Sequence, residues 1–94
     1  MNILSWLEEW YSSNCDRSWE HFYGVKIETL DNPGWSVKID LMETPFANRA
    51  FEVYEIDNGD DDWIRCWVKD HIFYGVGDPH KLEKIIQKFQ EYID

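Results

Sequence analysis

The apolar residues at the start of the chain recur at the spacing of one face of an α-helix. They are Ile3, Trp6, Leu7, Trp10 and Tyr11. Asn2 suits the N-cap, because its side-chain oxygen can accept a hydrogen bond from an N–H group of the first turn. The polar stretch 12–20 then predicts the end of this helix and a loop.

From Tyr23 onward the hydrophobic period changes to two, which is typical of a strand with one buried face. Residues 25–28 alternate apolar and charged side chains, and residues 35–41 do the same. Between them lies the sequence Asp-Asn-Pro-Gly at 31–34, whose proline and glycine favour a turn. Together these segments predict a β-hairpin.

Two further strands are predicted, at 51–56 and 63–71. Asn58-Gly59 lies between them and is typical of a tight reversal. The glycines of the segment 73–77 indicate a turn, since Gly-Val-Gly is too short for a nucleotide-binding motif.

A second helix is predicted to follow, with Asp78 as its N-cap and Pro79 at its first helical position. Its apolar stripe consists of Leu82, Ile85, Ile86, Phe89 and Ile93. The element order is therefore helix, four strands, helix. We expect residues 1–94 to form a single α+β domain, a four-stranded antiparallel meander sheet with the C-terminal helix packed on it.

Composition narrows the class of partner. The 94 residues contain 19 Asp and Glu against 9 Lys and Arg, a formal net charge of −10, while aromatic residues make up 17%. The aromatic content supplies a core and argues against disorder. The negative charge argues against binding to nucleic acid or to an anionic membrane surface. A basic protein is the natural electrostatic partner.

The two cysteines, Cys15 and Cys66, are too few for the disulfide framework of a small secreted protein. The N-terminal residues have neither the basic segment of a signal peptide nor the long apolar run of a membrane span. We therefore expect a cytoplasmic protein with both thiols reduced.

The segment 15–21 carries the side chains that most resemble an active site. Cys15, Glu20 and His21 could form a nucleophile with its base, or metal ligands that recruit Cys66 or His71. The spacing matches neither pattern, so we favour a structural role for these residues and predict no catalytic residue and no metal or other cofactor. A small zinc-binding or thiol-dependent protein is the alternative function.

Four aspartates, Asp57, Asp60, Asp61 and Asp62, surround the predicted reversal at Asn58-Gly59. Their spacing does not fit an EF-hand calcium loop, because glycine comes too early and no terminal glutamate follows. They form either a solvated hairpin tip or an acidic contact surface for a basic partner, with Trp63 as the anchor.

The predicted strand 63–71 is apolar on both sides. Trp63 and Trp67 share one face, whereas Ile64 and Cys66 share the other. Either helices cover both faces of the sheet, or one face carries an uncovered aromatic patch that marks a partner site.

In combination these motifs resemble the immunity protein 53 family of bacterial polymorphic toxin systems. The matching segments include Cys15-Asp16 with Trp19-Glu20-His21, the run 29–35 (Thr-Leu-Asp-Asn-Pro-Gly-Trp), Asp62-Trp63 with Cys66, and 82–89. The resemblance spans nearly the whole chain. Glycine often follows the Cys-Asp pair in the family, whereas Arg17 follows it here.

The resemblance implies a cytoplasmic protein without enzymatic activity that binds and neutralises a toxin encoded by a neighbouring gene. The residues Cys15, Asp16, Trp19, Glu20 and His21 then serve the fold or the interface, and we expect Glu20 and His21 to pair internally. From charge alone, we expect a toxin with a basic cleft, such as a nuclease, that the acidic protein occludes. A homodimer formed through the strand 63–71 or another aromatic face is a third hypothesis.

Overall fold

The computed structural model describes residues 2–94, which form three helices and five strands. The helices are α1 (Ile3–Asn14), α2 (Trp19–Phe22) and α3 (Leu82–Ile93). The strands are β1 (Val25–Leu30), β2 (Gly34–Asp40), β3 (Tyr54–Asp57), β4 (Trp63–Lys69) and β5 (Ile72–Gly77). The predicted α+β class is confirmed, but the predicted number of four strands is wrong.

The additional strand arises from a two-residue turn at Asp70 and His71. Both residues have positive φ angles, 53° and 65°, as a type I′ hairpin turn requires. Such turns usually contain Asn-Gly or Asp-Gly, so Asp-His carried no recognisable signal. The segment assigned from sequence to a turn, 73–77, belongs instead to β5.

The sheet is antiparallel throughout, with the strand order β1-β2-β5-β4-β3. The prediction of a simple meander is therefore wrong, because β5 lies between β2 and β4. The connection 41–53 carries the chain from β2 to the opposite edge of the sheet, where β3 begins. As a result, β1 and β3 are the two edge strands.

The buried side chains of the strands lie on one face of the sheet, the face that α3 covers. A Cβ atom at Gly75 would collide with the side chain of Ile85 of α3, so helix and strand approach closely there. The expected packing of the C-terminal helix on the sheet is thus observed. The strand residues of this core are Val37, Ile39, Ile64, Cys66 and Phe73.

Aromatic contacts join α1 and α2 to the same core. The ring of Trp10 lies edge-on to those of Trp19 and Phe89, with centroids 6.1 and 4.9 Å apart. The predicted cap is confirmed, since the N–H of Ser5 donates to Oδ1 of Asn2 at 2.8 Å. Trp19 begins a short helix, α2, within the segment predicted as a loop.

A buried carboxylate connects β4, β5 and the approach to α3. Asp78 is 0% exposed, and its oxygens accept hydrogen bonds from the N–H of Trp63 (2.9 Å), the N–H of His80 (2.8 Å) and Nζ of Lys81 (2.7 Å). The predicted N-cap position is wrong, because α3 begins at Leu82. Asp78 instead caps the turn that precedes the helix.

These contacts determine the charge state of Asp78. Burial by itself would raise the pKa of this carboxyl, but the hydrogen bonds from Lys81, His80 and Trp63 outweigh it and lower the pKa to about 2. Because the folded-state pKa lies below the ordinary value of 3.8, the stabilisation is present above pH 4. It is lost as the pH falls from about 4 toward 2.

We expect Asp78→Asn to lower the free energy of unfolding by about 2 kcal/mol, because an amide replaces a buried carboxylate that accepts charge-assisted bonds. Urea denaturation at pH 7 measures the loss, and the same curves at pH 3 should show a smaller difference from wild type. Asp60→Asn, at an exposed aspartate, is the matched control and should change stability by less than about 0.5 kcal/mol. Equal effects of the two substitutions would contradict this role of Asp78.

Candidate functional site

Residues 52–62, which contain β3 and the β3–β4 turn, carry six acidic side chains and no basic one. Because β3 is an edge strand, these carboxylates border one side of the sheet. We call this surface the acidic edge. Its members are Glu52, Glu55, Asp57, Asp60, Asp61 and Asp62, all of them exposed.

Hydrogen bonds within the turn hold the tip of the acidic edge in shape. Oδ1 of Asp57 accepts from the N–H of Gly59 at 3.1 Å, and the N–H of Asn58 donates to the carbonyl of Asp62 at 2.9 Å. Gly59 has a φ of 109°, which favours glycine. The turn therefore presents Asp60 and Asp61 to solvent.

Asp62 differs from the other aspartates of the tip. Its Oδ1 lies 2.8 Å from Nζ of Lys81, which also contacts Asp78. The hydrogen bond from Lys81 lowers the pKa of Asp62. Asp62 thus joins the tip to the approach to α3, and its charge is partly compensated. Sequence reasoning grouped all four aspartates because Lys81 is distant along the chain.

The sheet face opposite the helices carries an aromatic patch. The rings of Trp67 and Tyr74 stack with centroids 5.2 Å apart and planes 10° from parallel, and the Arg65 guanidinium lies 5.1 Å from the Trp67 centroid. These side chains are absent from the set that packs on the core. Both rings are half-buried. Of the two arrangements that the sequence allowed, the structure therefore has the second, an aromatic face that the helices leave uncovered because the core lies on the other side of the sheet.

Trp63 links this aromatic face to the acidic tip. It begins β4 directly after Asp62, and the strand alternation places it on the same face as Trp67. Its side chain is half-buried, while its N–H is bound by Asp78. The aromatic face and the acidic edge consequently form one continuous surface.

The carboxylates of Asp16 and Glu20 accept hydrogen bonds from backbone N–H groups and so close the segment 15–21 into a loop. Oδ1 of Asp16 accepts from the N–H groups of Ser18 (3.0 Å) and Trp19 (2.9 Å), and these bonds lower the pKa of Asp16. Glu20 accepts from the N–H groups of Asp16 and Arg17. The partners of Glu20 are thus backbone groups and not the exposed His21, which differs from the expected pairing.

The loop that these carboxylates close places Trp19 in the core. The Trp19 side chain is 2% exposed, and its Nε1 donates to the carbonyl of Met42 at 2.9 Å. This bond fastens α2 to the start of the connection between β2 and β3. The geometry of Asp16, Trp19 and Glu20 is that of a structural loop.

The thiol and imidazole groups considered as ligands lie apart. Cys15 Sγ donates to the carbonyl of Tyr11 at 3.4 Å, whereas Cys66 is fully buried and burial raises its pKa to about 12. Nδ1 of His71 is hydrogen-bonded to the carbonyl of Ala47. In residues 2–94, no three His, Cys, Asp or Glu side chains are grouped so as to hold a metal ion.

Comparison with protein families now identifies the chain. The family model of immunity protein 53 matches residues 4–94. The chain belongs to the immunity protein 53 family. This confirms the resemblance found from its motifs, and membership implies an immunity protein whose partner is a toxin.

Comparison of this immunity protein with curated proteins and with solved structures gave no match. Within residues 2–94, no helix is both long and apolar enough to cross a membrane.

Arg17 follows the Cys15-Asp16 pair in this immunity protein. Its φ is 78°, in the left-handed region that favours glycine. Its N–H donates to both carboxylate oxygens of Glu20, at 3.1 and 2.9 Å. The loop thus keeps a conformation suited to glycine although it carries an arginine.

We expect Arg17→Gly to raise the free energy of unfolding by about 0.5–1 kcal/mol, because glycine adopts a positive φ without the strain of a Cβ atom. Arg17→Ala retains the Cβ atom and should give no such gain. Thermal and urea unfolding of the two variants measure the difference. If alanine stabilised the protein as much as glycine, loss of the arginine side chain and not relief of backbone strain would be responsible.

Proposed function

We propose that this protein neutralises its toxin by occlusion, with the acidic edge seated in a basic cleft. The observation that carries the proposal is the run of six carboxylates without a basic residue along β3 and the β3–β4 turn. A cleft that binds the phosphates of a nucleic acid is lined by Lys and Arg. A nuclease is therefore the class of toxin that fits this surface.

Within the proposed interface the aspartates have two tasks. Asp57, Asp60 and Asp61 are exposed and direct the approach of a basic partner over roughly a Debye length, about 8–10 Å. Asp62 holds the tip in place through Lys81. A protruding tip whose shape is set before binding loses little conformational freedom on association.

The aromatic face supplies the short-range part of the proposed interface. Trp63 is adjacent to the tip, and the stacked Trp67 and Tyr74 continue the same face. Tryptophan, tyrosine and arginine are the residues most often found as binding hot spots. We infer that the acidic tip determines the rate of association and that the aromatic face determines the lifetime of the complex.

We further propose that the toxin is encoded by a neighbouring gene and that the complex forms in the cytoplasm, where an immunity protein protects the producing cell. Co-expression tests this directly. Cells that express the neighbouring gene product should stop growing, and co-expression of this chain should restore growth and yield a complex that co-purifies. Growth arrest that persists despite abundant folded chain would reject the proposal.

We expect the double substitution Asp60→Asn/Asp61→Asn to slow association with the toxin about tenfold at low salt, because two of the steering charges are removed. Stopped-flow measurements at several salt concentrations give the rate. Glu8→Gln/Glu9→Gln removes the same charge from the exposed side of α1 and is the matched control. Equal slowing by both variants would show that net charge, and not the tip, governs association.

We expect Trp67→Ala to accelerate dissociation of the complex about tenfold or more, as loss of a hot-spot side chain does, while the association rate stays nearly unchanged. Surface plasmon resonance separates the two rates. Phe22→Ala removes an aromatic ring that is 78% exposed on α2, outside the proposed interface, and should leave both rates unaltered. If Trp67→Ala and the wild type dissociated at the same rate, the interface would lie elsewhere.

A further inference from the structure

The two edges of the sheet differ in their capacity to pair with another strand. The edge strand β3 has four residues and lies within the acidic edge, so two copies of it repel each other. The edge strand β1 has six residues, alternates in hydrophobicity and contains no proline. An edge of this kind is a template for an additional strand.

The register shows which backbone groups of β1 are free. The N–H of Asp40 donates to the carbonyl of Gly24 at 3.0 Å, and the pairing of β1 with β2 continues from there without a bulge. Since ladder bonds alternate along an antiparallel pair, residues 26, 28 and 30 bond to β2. The N–H and C=O groups of Val25, Ile27 and Thr29 therefore point away from the sheet.

We propose that β1 pairs with β1 of a second copy of this chain, antiparallel and symmetric about Ile27. In this register Ile27 lies opposite Ile27 of the second copy, and Val25 lies opposite Thr29. All three outward-facing residues then occupy hydrogen-bonded pairs, each exchanging two N–H···O bonds. The result is one continuous sheet across both copies.

Charge selects this register. With Ile27 at the centre, Lys26 lies opposite Glu28 of the second copy, and the opposite-charge pair occurs twice by symmetry. Sliding one strand by two residues would instead place Lys26 against Lys26 or Glu28 against Glu28, which is unfavourable. Only the proposed register satisfies both charges.

A repulsion between two lysines within the chain also supports this register. Lys26 lies directly opposite Lys38 of β2, and neither lysine takes part in the ion pairs formed within residues 2–94. Like charges in such a cross-strand pair are destabilising. Glu28 of the second copy would lie beside Lys26 on its other side and offset this repulsion.

Apolar surface on the helix-facing side of β1 also supports a second copy of the chain as the partner of this edge. Ile27 is 38% exposed although Val37, its partner on β2, is fully buried. Beside it lies a groove of about 390 Å³ whose lining includes Leu7, Tyr11, Tyr23 and Val25. Thr29 of the second copy would lie opposite Val25, at the mouth of this groove.

The proposed dimer leaves the toxin-binding surface free. In the combined sheet the two β1 strands are central and the two β3 strands are outermost, about 43 Å apart at a spacing of about 4.8 Å between strands. Self-association through β1 is consequently independent of the acidic edge. It can be tested on the full chain alone, without any toxin.

Sedimentation equilibrium or light scattering over a range of concentrations tests the pairing. The wild-type chain should approach twice its 11.4 kDa mass. Lys26→Glu and Glu28→Lys should each raise the dimer dissociation constant about tenfold or more, because each creates two like-charge contacts. The double variant Lys26→Glu/Glu28→Lys restores opposite charges and should dimerise like wild type. A monomeric wild type, or a dimer indifferent to both single substitutions, would overturn the proposal.

Oxidative cross-linking examines the centre of symmetry separately, in a Cys15→Ser background. Cα atoms in a hydrogen-bonded antiparallel pair are about 5.5 Å apart, within the range for a disulfide. Ile27→Cys should therefore give a covalent dimer. Thr29→Cys is the control, since the two introduced thiols would be about 14 Å apart along the strands. Equal cross-linking of both variants, or none of Ile27→Cys, would contradict the register even if toxin binding were normal.

Discussion

The buried carboxylate of Asp78 is the contact on which the arrangement of this protein depends. It accepts hydrogen bonds from the N–H of Trp63 at the start of β4 and from His80 and Lys81 on the approach to α3. Lys81 extends the connection to Asp62 in the acidic tip. A fully buried charge would be unfavourable without such partners, so the tip, the central strands and the final helix are held in one geometry.

The sheet divides the molecule into surfaces with different chemistry. One face packs against the helices, and the opposite face leaves stacked Trp67 and Tyr74 uncovered. One edge carries six acidic residues, whereas the other carries a lysine and a glutamate two positions apart. The proposed toxin binding and the proposed self-association therefore use separate parts of the same sheet.

Much of the fold could be predicted because its signals are local. The periodicity of residues 3–11, the cap at Asn2 and the alternation of residues 25–41 predicted α1 and the first hairpin in their observed places. The predictions failed where a local signal was missing or misleading. Asp70 and His71 adopt positive φ angles without glycine, so β5 was missed. Asp78 caps a turn four residues before Leu82, the first residue of the helix that it was expected to begin.

The sequence by itself determined the apolar stripes of α1 and α3, the net charge of −10, the concentration of aspartates around Asn58-Gly59 and membership of the immunity protein 53 family. These follow from residue identity and short-range spacing. The tertiary structure decided that β5 lies between β2 and β4, that Lys81 binds Asp62, that Glu20 closes a loop and that one aromatic face remains uncovered. The physical reason is that these features depend on the order of the strands in the sheet or on contacts between residues that are distant along the chain. Strand order and long-range contacts leave no periodic pattern in the sequence.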